Sequence, residues 1–177
     1  MRRMDKDNSG FSIVELIIVI AIIAAVIATA ALSVRLVFSA NARTCANDIM
    51  SAISECKITT MSSGRGNVRL LLYRDDTGNI YSELQTKDIS GWVTGRDGAE
   101  KIGARRCMVG TVDGTDDLPQ KDSPWEIYFD RSSGSILYEG STTTSVQDIY
   151  VWGGSKKYQI HLEKLTGKAT LERLNVP

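Results

Sequence analysis

Residues 16–34 read LIIVIAIIAAVIATAALSV, a run without a single charged side chain, bounded by Glu15 on one side and Arg35 on the other. As a helix rising about 1.5 Å per residue, such a run is long enough to cross most of a bilayer core. No later part of the chain has this character. A charged prefix, MRRMDKDNSG, ends at Gly10, and the apolar segment opens with Phe11 and carries an acid at position 15. A carboxylate at the edge of so apolar a stretch is costly unless it is paired or held near the headgroups. If the chain were cut after Gly10, the new amine of Phe11 would lie one helical turn from Glu15, where opposite charges attract. That pair can form within one chain or between neighbouring copies.

The residues Gly10, Phe11 and Glu15 ahead of the apolar run resemble the amino-terminal signal of type IV pilins and of the pseudopilins of type II secretion. The resemblance implies cleavage between Gly10 and Phe11 by a prepilin peptidase on the cytoplasmic side, and methylation of the Phe11 amine. It also implies packing of the apolar helices into a filament, with Glu15 recognising a neighbour's terminal amine. Many major pilins carry Gly and Pro at positions corresponding here to Ala24 and Leu32, whereas this chain has no Pro before Pro119. A continuous helix follows, and the departure favours a minor pilin or pseudopilin over a main filament subunit. Two other readings compete. An ordinary signal peptide would need a small-x-small site followed by a polar start, which Ala28, Ala30 and Ala31 only imitate. A permanent membrane anchor carrying an extracytoplasmic ligand-binding module fits the same residues.

Beyond the apolar run, residues 36–62, LVFSANARTCANDIMSAISECKITTMS, place apolar side chains at 38, 42, 45, 49, 52, 53 and 56, with charges mostly between them. That is the amphipathic continuation of one helix, about 75 Å long in all, with Ser62, Ser63, Gly64 and Gly66 as its stop. From position 67 the pattern changes to short strands. NVRLLLYR and NIYSEL, residues 67–74 and 79–84, flank the turn Asp75-Asp76-Thr77-Gly78, a hairpin signal. Residues 88–104, rich in Gly and charge, read as a loop with at most a short strand, followed by a strand over 105–109 and a long polar connection to Pro124. The last third promises strands at 125–129, 135–138, 147–152, 157–163 and 168–174. Period-two alternation puts Tyr158, Ile160 and Leu162 opposite His161 and Glu163.

The expected fold class is thus α+β and pilin-like, a long N-terminal helix packed on one antiparallel sheet that shares its apolar face. The expected division is 1–10 as cleaved leader, 11–35 as transmembrane and filament-core helix, 36–63 as amphipathic extension, and 64–177 as extracytoplasmic β-rich domain. The C-terminal run WEIYFDRSSGSILYEG, with GG and YQIHLEKLTGKATLERL after it, is similar to the GspH/FimT class of minor pilins and pseudopilins.

Chemistry is sparse. With 21 acidic and 21 basic side chains the charge balance makes no electrostatic case for a nucleic-acid binder. Arg96, Lys101, Arg105 and Arg106, with Lys156-Lys157, form a loose basic region in which acids at 97 and 100 intervene; DNA as a partner is unsupported. His161, the sole histidine, has no ligand or nucleophile constellation around it in sequence and reads as a surface residue. Serines at 132, 133, 141 and 145 sit in turn-like stretches that explain them. Asp113, Asp116 and Asp117, with Asp122, are weak calcium candidates, because the EF-hand spacing is missing and a solvated turn accounts for them. No cofactor is expected. Cys45 and Cys56 lie on one helix face about 16 Å apart, beyond disulfide reach, so at most one bond can form, to Cys107. Buried free thiols are the favoured reading. The expected function is that of a structural subunit, not an enzyme: a minor pilin or pseudopilin inserted in the membrane, cut after Gly10 and assembled through its helix. Its partners would be the prepilin peptidase, other pilins or pseudopilins, an inner-membrane assembly platform, and lipid before assembly.

Overall fold

The structure is a computed structural model, and it describes residues 12–62, 68–112, 114–137 and 147–175; within these, the side chains of 30–36, 96 and 97 are outside the description. Among the described residues a single helix, α1, spans Ile13–Ser62. Nine strands follow it among those residues: β1 Val68–Arg74, β2 Ile80–Asp88, β3 Gly91–Gly103, β4 Met108–Gly110, β5 Trp125–Phe129, β6 Ile136–Leu137, β7 Asp148–Gly153, β8 Lys156–Glu163 and β9 Lys168–Leu174. The chain divides into two compact units, Met1–Arg35 and Leu36–Pro177.

In the first unit, α1 begins behind Ser12, whose carbonyl accepts from the Leu16 N–H at 3.1 Å and whose hydroxyl accepts from the Val14 N–H at 3.3 Å. This is an N-cap: the side-chain oxygen satisfies a donor that the first turn leaves without an intrahelical partner. From Ile13 to Ile27 the helix exposes Ile, Val and Leu on every side. A helix apolar all round has no water-facing side and needs lipid or other helices about it.

The second unit holds the core. Ala42, Cys45, Ala46, Ile49, Ile53, Cys56 and Thr60 are buried on α1, at the three- and four-residue spacings of one helical face. All of these but Thr60 meet Val68, Leu70 and Leu72 of β1, Ile127 and Phe129 of β5, and Ile149, Val151, Ile160 and Leu162 of β7 and β8 in one hydrophobic cluster.

The expected α+β class, a long N-terminal helix followed by an antiparallel β domain, is what the chain has, and the strands of that domain divide between two sheets rather than lying in one. They form a five-stranded sheet in the order β3-β2-β1-β5-β6 and a four-stranded sheet in the order β4-β7-β8-β9, with antiparallel strand pairing throughout. Helix α1 bonds to elements of both. The Cys56 thiol points at the Ile127 carbonyl of β5 at 3.9 Å, and the Ser155 N–H between β7 and β8 donates to Ser39 Oγ at 3.3 Å. Lys57 Nζ donates to Thr166 O at 2.6 Å between β8 and β9. The hairpin β1–β2 closes as expected, with Arg74 opposite Ile80 and Gly78 at φ 85°.

The stretch read as a loop, 88–104, is instead mostly strand β3. It is an edge strand that needs only backbone pairing with β2, and its register slips between Ile80 and Tyr81 and again between Glu83 and Gln85, which accommodates its glycine-rich, non-alternating sequence. Trp92 anchors it. The Arg69 guanidinium lies 4.2 Å from the Trp92 ring centre while bonding Glu126 and Gln85 at 2.9 Å each. The strand expected at 105–109 starts later, at Met108, because the Cys107 N–H turns back to the Ala104 carbonyl at 2.8 Å. Strands β5 and β9 fall where the alternation put them, and the inward Tyr158, Ile160 and Leu162 of β8 are buried.

Candidate functional site

The start of α1 is where the sequence placed its chemistry. Gly10 and Phe11 lie outside the described residues. Glu15 is exposed in the first helical turn, three positions after the Ser12 cap. Ser-x-x-Glu is the spacing of a capping box, and a carboxylate there also faces the positive end of the helix dipole. Ser12 therefore belongs beside Glu15 in the account of this site. The capping signature, legible in the sequence, is the sign that marks it.

Around the first unit the exposed side chains include Leu16, Ile17, Ile20, Ile23 and Ile27, each more than half exposed. Among the described residues no helix is long and apolar enough to cross a membrane. The uncharged run continues through residues 30–34, whose side chains are not described.

The other candidates disperse. Asp116 Oδ1 accepts from Arg74 Nη2 at 2.6 Å and from the Val109 N–H at 3.0 Å. Asp117 turns to Thr111, accepting from its N–H at 2.8 Å and its hydroxyl at 2.6 Å. Both carboxylates thus hold the connection after β4 in place, Asp122 is exposed, and Asp113 lies outside the described residues. Among the described residues no group of three His, Cys, Asp or Glu could hold a metal ion. Of the basic residues, Arg105 packs its stem over Gly78 and Arg106 lies 4.7 Å over the Phe38 ring. Lys101 is exposed on β3, Lys156 and Lys157 begin β8, and the Arg96 side chain is outside the description.

His161 is exposed on β8, with Nδ1 2.8 Å from Asp148 Oδ1 on β7. That hydrogen bond, helped by the charges of Asp148, Glu163 and Glu172, raises its pKa above the usual imidazole value. Ser132 and Ser133 both donate to Asp130 Oδ1, through backbone N–H and hydroxyl alike, which draws the Asp130 carboxyl down to about 2. Ser141 and Ser145 fall outside the described residues.

The three thiols are free and buried. Burial pushes Cys56 up to about 12. Interaction with the Cys107 side chain, then burial, raises the Cys45 thiol.

A groove of about 870 Å³ opens between α1 and the five-stranded sheet, lined by Asp48 and Glu55 of the helix, Leu70 and Ser82 of β1 and β2, and Glu100 and Lys101 of β3. Burial, then the charge of Glu100, raises the pKa of Asp48. The Ser82 side chain is buried and its hydroxyl has no partner among the described residues.

Residues 5–31, the segment that holds Gly10, Phe11, Ser12 and Glu15, match the family described as the prokaryotic N-terminal methylation motif. The chain carries the prepilin-type signal of type IV pilins and pseudopilins. That signal implies processing by a prepilin peptidase and assembly with other pilins, and the proteins that bear it are structural, not enzymatic. Neither a curated protein nor a solved structure was found to match the chain.

Proposed function

We propose that the protein is a minor pilin or pseudopilin, inserted in the membrane by residues 11–35 with its 64–177 domain outside the cytoplasm, cut between Gly10 and Phe11, and assembled into a filament. The observation that carries this reading is the match at residues 5–31, which ends inside an apolar helix exposed on all sides. Lipid covers that helix first. Cleavage then frees the Phe11 amine, which is methylated and meets Glu15 of a neighbouring copy, so that the carboxylate leaves the membrane paired. Ile, Val and Ala side chains supply the lateral packing, with close approach at Ala24-Ala25. The activity is polymerisation.

The test is direct. Glu15→Val inserts and is cleaved but is missing from the sheared surface fraction on immunoblots; incorporation at the level of the unaltered chain removes Glu15 from the mechanism. Replacing Gly10 with a bulky residue leaves the precursor mass in the membrane. A mature mass equal to that of the precursor contradicts processing.

A second reading, a ligand-binding module that stays anchored, is favoured by the groove beside Asp48 and Glu100 with the Ser82 hydroxyl, which has no partner among the described residues. Exclusive retention in the membrane while the assembly machinery is active selects it.

A further inference from the structure

Strand β2 turns Ile80, Ser82 and Leu84 toward the core that α1 covers, while Glu83, on the other face, bonds Tyr73 and Thr94. In the sheet register Ser82 stands between Leu72 of β1 and Glu100 of β3, and it lines the groove of about 870 Å³ between the helix and the sheet. The residue is only 6% exposed, and its hydroxyl has no hydrogen-bond partner among the described residues. A buried hydroxyl left unbonded is costly, and this one is presented to the groove.

The charge around it is one-sided. Asp48 and Glu55 of α1 and Glu100 of β3 line the groove with one cation, Lys101, and among the described residues none of the three carboxylates is in an ion pair. Asp48 and Glu55 are two turns apart, about 10 Å along the helix axis. No three His, Cys, Asp or Glu among the described residues converge to hold a metal ion. The negative charge is therefore spread along the groove, which suits an extended cation and not a point charge. Ala52 and Leu84, both partly buried against the core, give the same groove an apolar lining.

We propose that this groove binds a linear aliphatic polyamine, with ammonium groups on Asp48, Glu55 and Glu100, methylenes on Ala52 and Leu84, and one N–H donated to the Ser82 hydroxyl. Its volume lies within the range of small-molecule sites, about 300–1,000 Å³. Burial, then the Glu100 charge, raises the pKa of Asp48, so two acids face one site without a counter-cation, and a bound ammonium relieves that repulsion. Every lining residue lies between 48 and 101, inside the second unit, so the site stands whether the chain stays anchored or assembles.

The full chain, purified in a non-ionic detergent, is titrated with spermidine in a calorimeter, with detergent alone as the blank. The expected result is saturable binding at a single site per chain. Asp48→Asn and Glu100→Gln each weaken it roughly tenfold or more, and Ser82→Ala roughly three- to tenfold. Ser51 is exposed on the helix side of the groove, and Ser51→Trp fills the space without altering charge and abolishes binding. Asp76→Asn, which removes an exposed acid in the β1–β2 turn, leaves affinity unchanged. Unshifted thermal melts of these variants show that the fold is retained. Absence of saturable heat overturns the proposal, as does binding that Ser51→Trp leaves intact or that magnesium at equal ionic strength displaces, since either describes a diffuse counterion. A lysine-rich peptide that binds where spermidine does not also overturns it and makes the groove a protein-docking surface. None of these outcomes depends on where the chain is found in shearing experiments, so failure here leaves the filament reading untouched.

Discussion

Between β7 and β8, Asp148 and His161 face each other as ladder partners, and the carboxylate also accepts from Gln159 at 2.9 Å. Burial alone would raise Asp148, but the hydrogen bonds from His161 and Gln159 outweigh it and hold the carboxyl below its usual range. His161 moves the other way, upward, because the same bond favours the imidazolium. Its folded pKa therefore exceeds the unfolded value of about 6.5, so its contribution is fully present below that pH and is lost as pH rises through the folded pKa. Half exposed, the pair is screened, and the effect on stability stays within a few tenths of a kcal/mol to about 1 kcal/mol. As the chain's sole histidine, its ring protons titrate alone in a proton NMR spectrum; Asp148→Asn moves that titration down toward the ordinary value, and an unmoved midpoint would discard the pair. At this scale the sequence supplied residue types but not partners. Nothing in the spacing of Asp116 and Asp117 announces that one meets Arg74 and the other Thr111, because both contacts depend on how the connection after β4 folds back. The Ser12 cap, by contrast, depends only on three neighbours, and its signature was there to be read.

Helix α1 is one element with two environments. At Ile49 and Ile53 the side chain is fully buried in the core, whereas Ile20 is 58% exposed. Ile49→Ala is expected to cost about 2–5 kcal/mol, the penalty of lost burial plus a cavity, seen as a lower denaturation midpoint. Ile20→Ala leaves that midpoint unchanged, and its consequence is confined to packing outside the chain. A second element-level prediction concerns the β8–β9 turn. Gly167 sits at φ 59°, and a Cβ there would run into the Gly134 carbonyl oxygen and the Phe129 ring. Gly167→Ala should therefore destabilise by at least about 1–2 kcal/mol in the same denaturation measurement, since the left-handed backbone and the close approach both penalise a side chain. Helix α1 was legible because its three- and four-residue periodicity is local. Strand β3 was not, because an edge strand paired through its backbone across two register slips leaves no alternation to detect, and its glycines imitate a loop. The division into two sheets was likewise hidden, since alternation marks strands and does not say which strand pairs with which.

Across the whole molecule the two compact units differ in what they require. The second has a continuous hydrophobic cluster of its own, and among the described side chains its first buried residue on α1 is Ser39; the first unit ends at Arg35 and shows apolar side chains to its surroundings. Residues 36–177 are enough for an independent core at that size. A chain starting at Leu36 is therefore expected to be soluble without detergent and to unfold in one cooperative transition, with a midpoint within about 0.5 kcal/mol of the full chain's. The full chain in turn requires detergent, lipid or assembled neighbours, because water cannot accommodate an apolar helix on that scale. Denaturant titration of the truncated chain followed by circular dichroism, with sedimentation to report its mass, decides the matter. An aggregated or non-cooperative truncated chain would mean that the core draws on residues before Leu36, and that burying the first unit and folding the second are one event. A soluble, cooperative one makes them separate, which is the arrangement a filament subunit needs if its domain is to stay folded while its helix moves from lipid to neighbours.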